Sequence, residues 1–144
     1  NARYNKNSYK QNRIAICKSI NLQPDIHQLC IQLLDNLLLD KTVQKYFLNP
    51  QHRPNDIDID TLDSRQLSRD LADIANRLKM GEYKNYWDLV QNVQMVLDEK
   101  ISFYPFDKDI SDCSKKVRTE FYSFPEKRLG IYGIPENNNN NNSN

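Results

Sequence analysis

DLADIANRLKMGEYKNYWDLVQNVQMVLDEKISFYPFDKDI, residues 70–110, decides the fold. Leu71, Ile74 and Leu78 recur at helical spacing on one face, and Gly81 stands where a helix ends with a left-handed residue. A second helix opens at Asn85, with Asp88 three residues on, close to a capping box. Trp87, Val90, Val93, Val96, Leu97 and Ile101 supply its buried face until Pro105 forbids continuation. An aromatic knuckle follows, Phe103-Tyr104-Pro105-Phe106. Three large rings on a short connection call either for burial between helices or for a small pocket that they line.

Outward from this stretch, helical period continues. Toward the C-terminus a further helix is expected from Asp109, with Asp112 three positions on, Ile110, Cys113, Val117, Phe121 and Phe124 as its apolar face, and Pro125 as its close. Toward the N-terminus, Ser68 is a candidate N-cap for the helix carrying Leu71. Residues 48–67, with Pro50 and Pro54, form a long connection of the kind that is often functional. Before it, PDIHQLCIQLLDNLLLDKTVQKYF (24–47) carries a broad apolar stripe, Ile26, Leu29, Cys30, Leu33, Leu34, Leu37 and Leu38, opened by Pro24. The pattern predicts an all-α fold, a four-helix bundle with a long loop between its first two helices.

Composition sets limits on function. The 144 residues carry a formal net charge of +1, which removes a strongly charged body as the basis of binding. Residues 1–24 hold Arg3, Lys6, Lys10, Arg13 and Lys18 and no acid, a solvated tail or an arm for weak contact with nucleic-acid phosphates. Residues 56–63, DIDIDTLD, form an acidic rim that would attract Lys-rich peptides, or a solvated loop. They do not make a calcium loop, because Thr61 stands where Gly is required and Leu67 where a bidentate Glu is required. Cys17, Cys30 and Cys113 lack metal-ligand spacing and read as reduced thiols; His27 and His52 have no nucleophilic partner except Cys30, which lies on the buried stripe. No catalytic residue, metal or cofactor is expected. No apolar run approaches the ~20 residues that span a bilayer, so a soluble intracellular chain is expected. The closing ENNNNNNSN is low-complexity and points to a domain within a longer protein.

From Asp70 to Ile110 the sequence resembles the second half of a bromodomain. Asp70-Leu71, Ile74 and Arg77-Leu78 match the family's acid-apolar helix start and its R/K-L helix end; Gly81-Glu82-Tyr83 matches its G-x-Y stretch; Val90, Val93 and Leu97 match its long helix. The likeness runs from about residue 24 to 126 and is strongest over 70–121. It implies an acetyl-lysine pocket at one end of the bundle, with Tyr46, Phe47, Phe103, Tyr104, Phe106 and Ile110 as its residues. Phe47 matches the Phe of the family's Trp-Pro-Phe shelf, with Lys45 and Tyr46 in place of Trp and Pro; Ile110 matches the apolar gatekeeper. Tyr104 stands where the family has the Asn that meets the acetyl carbonyl; Asn92 replaces an Asp, Glu99 an Asn, and counting without a gap puts Thr61 at the position of a water-holding Tyr. A phenol can donate to a carbonyl as an amide does, although it is longer, and it can also turn outward and leave no donor. Phe103 is expected to point into the bundle, Tyr104 to stand at the pocket wall and Phe106 to pack on the rim or the long loop, unless all three plug the bundle's end.

The resemblance implies a non-enzymatic, nuclear, chromatin-associated reader of acetylated histone tails, monomeric and without membrane contact. The alternative is a degenerate bundle that docks protein or nucleic acid without binding acetyl-lysine. The expected organisation is a basic extension (1–23), the bundle (24–126) and a C-terminal Asn-rich tail (127–144).

Overall fold

Each helix from the third onward begins where a residue whose side chain accepts from its free N–H groups precedes it. The computed structural model describes residues 6–48 and 70–132, with side chains from residue 12 onward. Six helices run through them: α1 (Lys6–Ser19), α2 (Pro24–Leu38), α3 (Lys41–Phe47), α4 (Leu71–Lys79), α5 (Tyr86–Phe103) and α6 (Lys108–Leu129). The architecture is all-α; the only strand-like feature among the described residues is an isolated antiparallel bridge between Asn21 and Asn85.

The four long-range packings of the bundle are α2 on α4, α4 on α5, α5 on α6 and, through the short α3, α2 on α6. Their shared core is built from Leu34, Leu71, Ile74, Leu78, Leu89, Val90, Val93, Leu97, Val117, Phe121 and Phe124. At its centre Tyr86 stacks on Phe124, ring centroids 5.1 Å apart, and lies 6.4 Å from Phe121. His27 is spent on structure as well: its Nε2–H donates to the Leu78 carbonyl at 2.5 Å and ties α2 to the end of α4.

Several boundaries differ from those expected. The stripe over 24–47 is two helices, because Asp40 interrupts it and caps α3 through the N–H groups of Thr42 and Val43. The cap of α4 is Asp70, whose carboxylate accepts from Ala72 and Asp73; Ser68 lies outside the described residues. The cap of α6 is Asp107 rather than Asp109, since its side chain accepts from the Ile110 N–H at 3.1 Å. The capping box at Asn85 and Asp88 forms as expected. At Gly81, φ is +77°, the Gly81 N–H reaches Leu78 and the Glu82 N–H reaches Arg77, which is a complete Schellman closure of α4.

Pro125 does not close α6, which continues through it to Leu129 and ends at Gly130 with φ +71°. A proline inside a helix leaves the carbonyl four residues back without its N–H. Here that carbonyl belongs to Phe121, and the buried Tyr86 hydroxyl donates to it.

The basic N-terminal segment is not a solvated tail over 6–20. It forms α1, which packs on α5 and α6 and places Cys17 and Ile20 in the core. Behind it the Tyr86 N–H donates to Ile20 and the Leu22 N–H to Lys84, joining the end of α1 to the start of α5. The Arg13 guanidinium lies over the Tyr122 ring, 5.1 Å from its centroid, so this cation serves the docking of α1. At the other end, Leu129 and Ile131 pack against the core.

Candidate ligand site

The end of α3 and the first turns of α6 face each other. Between them is a cleft of about 370 Å³ lined by Thr42, Lys45 and Tyr46 from α3 and by Asp109, Asp112, Cys113 and Lys116 from α6. Tyr46 is half-buried, with the Lys45 ammonium 5.2 Å from its ring centroid. Phe47 and Ile110 are both core residues with about 3 % of their surface left. Of the six expected site residues only Tyr46 lines this cleft; Phe47 and Ile110 are core residues and do not line it.

The knuckle is arranged differently. Phe103 does not point into the bundle: its ring is 70 % exposed, and Phe106 is 96 % exposed. The buried length of α5 ends with Val93, Val96 and Leu97, and Phe103, the last residue of the helix, stands beyond the core although it lies seven residues on from Val96. Tyr104 is the C-cap of α5; its N–H donates to the Lys100 and Ile101 carbonyls and its carbonyl accepts from Asp107. Its ring is about half exposed and lies 5.4 Å from the Lys100 ammonium. None of the three knuckle rings lines the cleft between α3 and α6.

One departure from the family pattern is absorbed locally. Tyr83 donates to Oδ1 of Asn92 at 2.5 Å, so the amide oxygen takes a proton donor as a carboxylate would. Thr61, His52 and the acidic run 56–63 lie outside the described residues.

Charge at the cleft is balanced. Lys108 pairs with Asp112 at 2.9 Å, and Lys116 pairs with Asp40. The Lys116 ammonium, together with the cap donors of Val43 and Thr42, holds the Asp40 carboxyl below its usual range, and Asp40 in turn raises Lys116. The thiols are unsuited to nucleophilic work: burial pushes Cys17 up to about 11 and Cys30 up to about 12, and raises Cys113. Among the described residues no group of His, Cys, Asp and Glu is placed to hold a metal ion.

Sequence reasoning missed Thr42, Asp109, Asp112, Cys113 and Lys116 as cleft residues. Asp40 carried a readable signal, an acid two and three residues before Thr42 and Val43 inside an apolar stripe. Lys116 carried none, because its partner is 76 residues away.

The described residues thus form an all-helical bundle with a small cleft between its third and last helices. The bromodomain family model matches residues 30–116, and the chain belongs to the bromodomain family. No curated protein and no solved structure matches it closely enough to count as a relative. Bromodomains are in general non-enzymatic reader modules that bind acetylated lysine in peptides, and they are commonly nuclear. No helix among the described residues is long and apolar enough to cross a membrane.

Proposed function

We propose that this domain reads acetylated lysine on histone tails, as a monomeric module of a nuclear, chromatin-associated protein, with weakened recognition. The observation that carries the reading is the family match over residues 30–116, which includes both walls of the cleft beside Tyr46. An acetylated lysine is neutral and amphipathic, so its stem can lie against Tyr46 while Asp112 keeps Lys108 and Lys116 keeps Asp40. An unmodified lysine would bring an unpaired charge to a partly buried place, which is costly. The weakening follows from Tyr104, whose ring turns to Lys100 instead of offering a donor inward. Affinities in the micromolar range or weaker are expected, as for one small buried side chain.

The test is a titration of the domain with acetylated histone-tail peptides, followed by amide shifts, with unmodified peptides alongside. Saturable, acetyl-dependent shifts at Tyr46, Phe47 and Ile110 are expected. Equal response to both peptide sets would end the reading.

A second reading draws support from the outward rings of Phe103, Tyr104 and Phe106. In it the bundle is a docking module for another protein through the knuckle, and Phe106→Ala abolishes the interaction while acetylation is irrelevant. Docking of nucleic acid through α1 would instead weaken steeply with salt, whereas cleft binding of a neutral side chain would barely respond.

A further inference from the structure

Only Leu39 and Asp40 separate α2 from α3, and Asp40 uses its two carboxylate oxygens for different purposes. Oδ1 accepts from the Thr42 N–H at 2.8 Å and the Val43 N–H at 3.3 Å, closing the first turn of α3. Oδ2 accepts from Nζ of Lys116, two turns into α6. The second contact is not needed for the cap. It joins the start of α3 to the helix across the cleft.

Lys116 lines the cleft beside Tyr46, and together with Asp40 it also lines a groove of about 290 Å³ between α2 and α6. Lys116 thus borders both hollows, and Asp40 borders the groove. α3 has seven residues, well short of the ~12–15 at which a helix begins to hold itself in water. Its position therefore depends on what grips it from outside. Val43 and Phe47 grip it from the core side, and the Asp40–Lys116 pair from the rim. Tyr46 is one residue from the end of this short helix, so any tilt about the core anchors moves its ring across the cleft.

We infer that Asp40 and Lys116 act as a positioning pair: their contact fixes α3 against α6 and so sets where Tyr46 stands over the first turns of α6. The ligand consequence rests on the reading of that cleft as the acetyl-lysine end; the geometric consequence does not.

Three substitutions separate the pair from the cap. Asp40→Asn keeps a good N-cap acceptor and removes the charge. Lys116→Met removes the cation and keeps a long side chain, and Lys116→Arg restores the cation. Two quantities are read on the whole chain, amide hydrogen exchange over Val43–Phe47 and affinity for an acetylated histone-tail peptide. The expected result is exchange about two- to fivefold faster in Asp40→Asn and in Lys116→Met, the size that an exposed ion pair supports. The double variant should be no faster than either single, and Lys116→Arg should exchange as the native chain does. Peptide affinity should fall by a similar factor in the same variants.

Unchanged α3 exchange in both single variants, or additive effects in the double variant, would overturn the positioning pair. Faster exchange with full peptide affinity would overturn its claim on the site. If the native chain binds no acetylated peptide while the exchange pattern holds, the pair stands and the reader assignment falls.

Discussion

Tyr104 shows how one side chain can leave a site without disturbing the fold. Its backbone N–H closes α5 on the Lys100 and Ile101 carbonyls, a duty that any residue but proline could perform. Its ring has a partner that an Asn in that place would lack, the Lys100 ammonium. A cation over an exposed aromatic ring is worth about 0.5–1 kcal/mol, close to the net value of about 0.5–1.5 kcal/mol for one hydrogen bond. The phenol therefore gains as much by turning outward as it would by donating to a ligand. On this balance, Tyr104→Asn should tighten binding of an acetylated peptide by about two- to tenfold, the factor one recovered hydrogen bond supplies. Isothermal titration of native and substituted domain with acetylated and unmodified peptides checks it. No gain for the acetylated peptide would mean that the missing donor is not what limits recognition.

At the scale of elements, α6 depends on a cross-helix repair. Proline in a helix interior costs about 3 kcal/mol, partly through the carbonyl it strands. The stranded Phe121 carbonyl is in the core, and the Tyr86 hydroxyl from α5 reaches it. Burial raises Tyr86 well above the ordinary tyrosine range, so its proton stays available for this bond. Tyr86→Phe should lower the unfolding free energy by about 1–3 kcal/mol, the cost of an unsatisfied buried acceptor. In a Pro125→Ala background, where residue 125 regains an N–H, the same substitution should cost clearly less. Urea unfolding of the four chains reads both values, and equal penalties in the two backgrounds would show that the Phe121 carbonyl is not the issue. The same repair explains what the sequence hides. Helix ends marked by their own chemistry, Asn85 with Asp88 and Gly81 after Leu78, are legible because the cap and its partner are neighbours in the chain. Pro125 is misread as a stop because the group that rescues it lies 39 positions upstream (125 − 86). Asp107 and Asp109 compete for one cap within three residues, and only the geometry at Ile110 chooses between them.

For the whole molecule, the packed body extends beyond its family signature. The family match begins at residue 30, while Cys17 and Ile20 are already buried and the chain still packs on the core at Ile131. The bundle's interior was readable because four amphipathic stripes announce it. The contribution of α1 was not, because polar and basic residues outnumber its apolar ones and leave no clear stripe. The cleft was readable only in part for a related reason. Tyr46 alone of the expected residues lines it, and the exposure of Phe103, Tyr104 and Phe106 depends on how the chain leaves the end of α5. If α1 belongs to the cooperative unit, its removal must uncover core. Fully burying an aliphatic side chain is worth about 1.5–3 kcal/mol, so Ile20 and Cys17 together set a floor near 3 kcal/mol. The lost bonds from Tyr86 to Ile20 and from Leu22 to Lys84 add to it. A chain lacking residues 1–23 should therefore unfold at least about 3 kcal/mol more easily in urea than the full chain. Its m-value should also fall, because less surface is buried in its native state. Unchanged midpoint and slope would make α1 an appendage resting on a bundle that is complete from residue 24.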